Sequence, residues 1–94
     1  MTLAVDVVKH AGQRPTESFD PDKLQRSIRA ACLSVRSPEG EAESTAQLVA
    51  DAVVVWVTSK PAVTSHDLRR LAGAHLERYH PDAAYLYQHY QAII

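Results

Sequence analysis

Five prolines, at positions 15, 21, 38, 61 and 81, limit where regular structure can begin and end in this 94-residue chain. Proline has a fixed φ and no backbone N–H, so it suits the first turn of a helix and breaks one elsewhere. Asp20-Pro21-Asp22 is a strong helix start: Asp20 can accept from the unpaired first N–H groups, Pro21 fits the first helical position, and Asp22 favours the positive end of the dipole. Ser37-Pro38-Glu39 repeats that signal. Ser59-Lys60-Pro61 ends the second helix, and His80-Pro81-Asp82 breaks and restarts the chain. Pro15 limits the stretch after it to an edge strand or a turn.

Apolar spacing fills the intervals. Leu3, Val5, Val7 and Lys9 alternate with Ala4, Asp6, Val8 and His10, the period of a strand. Ala11-Gly12-Gln13 is the natural turn, because Gly12 tolerates a positive φ, and Thr16 to Phe19 would return as a second strand. A hairpin over 3–19 is therefore expected. Leu24, Ile28, Ala31 and Val35 lie on one helical face, as do Leu68, Leu71, Ala72, Leu76 and Tyr79. Leu48, Val49, Ala52, Val53, Trp56 and Val57 are thick enough to form the centre of the core. Ala62-Val63-Thr64 can add a third strand, and Ser65 is expected to cap the helix that follows, with Asp67 in its first turn. A last helix would carry Ala84, Tyr85, Tyr87 and Ile94. The spacing predicts helices over about 21–35, 38–58, 66–79 and 82–93. Their order with the strands is that of a single α+β domain, a four-helix bundle capped by a small two- or three-stranded sheet.

Bulk properties narrow the function. The single cysteine, Cys32, excludes a disulfide framework or a zinc ribbon within one chain. Its place on the apolar edge of the first helix suggests a core filler. No apolar run nears the roughly 18 residues of a membrane span, and no basic leader precedes an apolar segment, so a soluble cytoplasmic protein is expected. The net charge of −1 argues against a nucleic-acid partner, whose binding rests on phosphate neutralisation. Charge is nevertheless uneven: Lys23, Arg26, Arg29 and Arg36 cluster early, whereas 37–59 carries Glu39, Glu41, Glu43 and Asp51 with no base. A local basic pocket for a small anion remains open.

Catalytic patterns are missing. None of the five histidines has HExxH spacing, and no cysteine or carboxylate cluster suggests a metal site. Ser65-His66-Asp67 holds triad residue types, but neighbouring side chains on a helix point apart and cannot relay a proton. No glycine-rich phosphate loop is present. An anion site would need side chains such as Lys9, Lys23, Arg69 and Arg70, each of which alone reads as an ordinary surface charge. No enzymatic activity and no redox cofactor are expected.

Two paired motifs go further. Val7-Val8-Lys9-His10-Ala11-Gly12 is followed by Phe19-Asp20-Pro21-Asp22-Lys23-Leu24, and the helix continues Ser27-Ile28-Arg29-Ala30-Ala31-Cys32. Val63-Thr64-Ser65-His66-Asp67-Leu68 and Ala83-Ala84-Tyr85 come later. This order resembles the ATP-cone domain, the nucleotide-binding regulatory module of ribonucleotide reductases and of the transcriptional repressor of their genes. The likeness spans essentially the whole chain. It implies a four-helix bundle under a small sheet, with ATP or dATP, with or without Mg, held between them. By resemblance, Val7 and Val8 would border the base, while Lys9 and Lys23 meet the phosphates with His10 beside them. Glu17 and Asp20 would take the sugar or hydrogen-bonding edge, and Ser65 and Arg69 would close the site. The family's Lys-Arg-Asp-Gly is Lys9-His10-Ala11-Gly12 here, which replaces a permanent cation with a residue of reference pKa ~6.5. The expected function is an adenine-nucleotide-binding regulatory module acting through nucleotide-dependent association, with itself or with a separate protein. The alternative is a protein-interaction module that keeps the fold with weakened or lost nucleotide binding.

Overall fold

The computed structural model describes residues 3–8 and 17–89. Strands β1 (Leu3–Val8) and β2 (Glu17–Phe19) precede helices α1 (Pro21–Ser34) and α2 (Glu39–Val57). Strand β3 (Ala62–Thr64), helix α3 (Ser65–Glu77) and helix α4 (Pro81–His89) follow. The expected turn at Ala11-Gly12-Gln13, together with Lys9, His10, Pro15, Tyr90 and Ile94, lies outside the described residues.

The three strands form one mixed sheet in the order β2-β1-β3. β1 and β2 are antiparallel, with Leu3 opposite Phe19 and Val7 opposite Glu17. Between Leu3 and Asp6 the register shifts, so the longer strand bends over the shorter one. β3 joins the other edge of β1 in parallel, with Val7 opposite Val63 and Val8 opposite Thr64. A parallel pair needs a long crossover, and α1 and α2 supply it. Val5, Val7, Phe19 and Val63 are buried, while Asp6, Ser18 and Thr64 are exposed. The sheet thus has one face on the helices and one outside.

α1 begins as expected. The Asp20 Oδ1 accepts from the backbone N–H of Asp22 at 3.0 Å and of Lys23 at 3.4 Å, and Pro21 is the first helical residue. Leu24, Ile28, Ala31 and Cys32 turn inward, and burial pushes the Cys32 thiol pKa up, the state of an inert core filler. Ala42, Ala46 and Ala50 share the buried stripe of α2 with Val49, Val53 and Val57. Small residues at every fourth position let neighbouring helices approach closely. Leu48, expected in this stripe, is 52% exposed. Tyr79 was expected on the buried face of α3; it lies beyond the helix end and is 53% exposed. α2 starts one residue later than expected, with Pro38 at the cap position and no side chain capping it. The other bounds of α1 to α3 and the start of α4 differ by at most two residues, as helix ends commonly do. The expected end of α4 at 93 lies outside the described residues.

The α1–α2 link is a Schellman turn. The Arg36 N–H donates to the Leu33 carbonyl at 3.0 Å, and the Ser37 N–H to the Cys32 carbonyl at 3.1 Å. That geometry sets Arg36 at φ 66°, a conformation costing an L-residue roughly 1–2 kcal/mol. Arg36→Gly should remove this strain, offset partly by a more flexible unfolded chain. The expected net gain is about 0.5–1 kcal/mol in urea unfolding; a loss of stability would show that the arginine side chain matters more than its backbone.

Candidate functional site

Both helices that follow the edge strands begin at the sheet. α1 starts one residue after β2, and α3 starts directly after β3. The short α1–α2 and α3–α4 links make each pair antiparallel neighbours. α1 leaves the Leu3 end of the sheet and α3 the Val8 end, and Tyr87 in the last turn of α4 reaches the second turn of each helix. At α1 Pro21 has no N–H and Asp20 takes those of Asp22 and Lys23, so what such a helix start offers an anion is chiefly about half a positive charge.

Val7, Val8, Glu17 and Ser65 fall at the Val8 end of β1, whereas Asp20 and Lys23 follow Phe19, which pairs with Leu3 at the other end. Val7 faces Glu17 and Val63, and Val8 faces Thr64, the residue before Ser65. Three residues separate Glu17 from Asp20, a reach of at most about 11 Å. Val7 and Val8 lie on opposite faces: Val7 is buried against the helices, and Val8 is half-buried on the outer face. A ligand between sheet and helices would meet Val7 and not Val8. Lys23 is exposed in the first turn of α1, and Ser65 is half-buried at the start of α3. Of the nine expected residues, Lys9 and His10 lie outside the described residues, and for Glu17 only the backbone is described.

Two placements change the expected roles. Ser65 is not the cap of α3. Thr64 is: its Oγ1 accepts from the Asp67 N–H at 2.9 Å. Thr64 also continues β3, so its extended backbone suits a cap position, whereas Ser65 is already helical. The signal was present as Thr64-x-x-Asp67, the spacing of a capping box. Arg69, one turn beyond Ser65, is engaged inside the bundle. Its Nη1 donates to the Tyr87 carbonyl at 3.0 Å, and its guanidinium lies 5.8 Å from the Tyr87 ring centroid.

Tyr87 is the residue that sequence reasoning missed. It is 2% exposed, and its hydroxyl lies 2.9 Å from Ser27 Oγ. Ser27 Oγ donates to the Leu24 carbonyl at 2.7 Å, so its single proton is committed and the Tyr87 O–H is the donor between them. Burial raises the Tyr87 pKa, opposed in part by the Ser27 hydrogen bond and the Arg69 charge. One α4 residue thus touches both α1 and α3. Its partner is sixty positions away in sequence, beyond the range of any periodicity.

A separate depression of about 270 Å3 lies on the α1–α2 seam, lined by Asp22, Gln25, Arg26, Arg29 and Glu43. Glu43 already pairs with Arg29 Nε at 2.9 Å and accepts from Gln25 Nε2 at 3.2 Å. The Arg29 contact is an ion pair whose angle falls short of a hydrogen bond, which leaves that Nε covered without one. With its charges internally matched, this depression is a poor anion site. Among the described residues no group of three or more His, Cys, Asp and Glu side chains could hold a metal ion, and no helix is long and apolar enough to cross a membrane. Comparison of the chain with protein-family models, with curated proteins and with solved structures gives no match.

Proposed function

We propose that this chain is a regulatory module that binds ATP or dATP beneath its sheet and acts by altering its association with itself or with a separate protein. The observation that carries this reading is Tyr87, whose contacts with Ser27 and Arg69 bring the opening turns of α1 and α3 to one end of the bundle. Two capped helix starts leave the two edge strands at opposite ends of one sheet, so their positive dipole ends flank the space under the central strand from opposite sides. Lys23 in the first turn of α1 and Arg69 one turn into α3 flank that volume with fixed cations. The ATP-cone resemblance assigns the nucleotide to the same place and adds Lys9 from the end of β1. Asp22 and Asp67, also in those first turns, oppose an anion, so the lysines are needed to tip the balance.

The second reading, an interaction module without nucleotide, draws on a different observation. Asp20 and Arg69 already serve the fold, as a helix cap and as a tie to α4. Leu48, Val55, Tyr79 and Tyr85 are all more than half exposed, and such apolar surface suits a protein partner.

Lys9→Ala and Lys23→Ala separate the two readings. Each should weaken nucleotide binding by about ten-fold or more, the effect of losing a charged contact of ~1.5 kcal/mol. Calorimetric titration of the two variants beside the unaltered chain measures this. Nucleotide binding that is indifferent to both substitutions would move the site elsewhere.

A further inference from the structure

Lys23 and Ser27 are four residues apart on α1, as are Ser65 and Arg69 on α3, and residues so spaced share a helix face. Tyr87 touches the inner member of each pair. Its hydroxyl meets Ser27, and its carbonyl and ring meet Arg69. The outer members, Lys23 and Ser65, are assigned to the ligand, and so is Arg69 itself. The last turn of α4 is therefore one side chain removed from the proposed site on two sides.

Arg69 has five N–H donors in a rigid fork, and it gives one to the Tyr87 carbonyl, a neutral acceptor at the negative end of α4. That bond is ionised on the donor side alone, whereas phosphate oxygens carry charge on the acceptor side too and can take two parallel N–H groups of the fork. A phosphate arriving at the first turn of α3 would outcompete that carbonyl for the guanidinium. Gln88, the next residue of α4, lies over Gly73 of α3, where an added Cβ would collide with it.

We propose that Arg69 is a latch on α4, opened by the nucleotide: phosphate oxygens take the guanidinium from the Tyr87 carbonyl, and the last turn of α4 loosens. This rests on the nucleotide reading above and names how binding would reach a surface. Linkage makes the effect reciprocal, so whatever loosens the end of α4 raises nucleotide affinity.

Hydrogen–deuterium exchange of the 81–89 segment, with and without saturating ATP, tests the latch, alongside calorimetry on the same samples. In the unaltered chain ATP should speed exchange there by about five-fold or more, the low end of typical coupling. Arg69→Gln should show fast exchange without ATP and no further change with it. Tyr87→Phe, which keeps the carbonyl, should retain the ATP response; its loss would assign the coupling to Ser27 and overturn the latch. Heat of binding with unchanged or slowed exchange in the unaltered chain would overturn the latch alone. No heat at millimolar ATP would overturn the site, and nucleotide-driven release with it.

Discussion

Tyr87→Ala is expected to lower the unfolding free energy by about 3–5 kcal/mol, the range for emptying an aromatic site in a core. The side chain is 2% exposed and fills the junction of α1, α3 and α4. Removing it opens a cavity, takes the hydroxyl partner from Ser27, and removes the ring from beneath Arg69. A domain of this size has only about 5–15 kcal/mol in total, so the variant should be barely folded at room temperature. Tyr87→Phe isolates the hydroxyl and should cost about 1 kcal/mol, since Ser27 keeps its bond to the Leu24 carbonyl. The raised Tyr87 pKa adds a pH dependence. Above about 10, the ordinary tyrosine value, the unfolded chain ionises while the folded one resists, so stability falls as pH rises through that range. Tyr87→Phe should lack this contribution to the alkaline loss. Urea unfolding of the three proteins at pH 7 and pH 10.5 checks both statements, and a Tyr87→Ala cost below about 1 kcal/mol would deny the residue its central place.

Phe19→Ala is expected to cost a similar amount, about 3–5 kcal/mol. Phe19 closes β2, pairs with Leu3 and is 2% exposed. Its neighbour Ser18 is exposed, so Phe19 anchors a strand of only three residues. The next residue is the Asp20 cap; a released β2 therefore also frees the start of α1, on which the proposed site depends. Ser18→Ala, one residue away on the outer face, should stay within about 0.5 kcal/mol of the parent. Equal stability for the Phe19 and Ser18 variants would show that the sheet rests on the bundle without this anchor.

Local chemistry was legible in the sequence, and long-range geometry was not. Asp20 and Pro21 specify the first helix start to the residue, because a cap and a locked φ act within three positions. Alternation in β1 correctly separates buried Val5 and Val7 from exposed Asp6. Leu48 was misjudged because the second half of α2 is apolar at every position but Asp51, so periodicity marks its inner face poorly. With about 100° between successive residues, the buried stripe of α2 takes in Val49 and Ala50 beside Ala46, Val53 and Val57 and leaves Leu48 at its edge. Thr64 and Ser65 are both good caps by residue type; the end of β3, set by pairing with Val8, decides between them. The central position of β1 depends on its parallel partner more than fifty residues on. For the same reason Arg69 read as a surface charge, since its acceptor on α4 becomes a neighbour only after folding.

The central claim is that a nucleotide belongs in the space between the sheet and the starts of α1 and α3. Titrating ATP, and then dATP, into the purified chain by calorimetry measures this directly. The account predicts a saturable heat with a Kd below about 1 mM, corresponding to more than ~4 kcal/mol of binding, together with a rise in thermal stability as nucleotide is added. No heat and no thermal shift at millimolar ATP or dATP would contradict it.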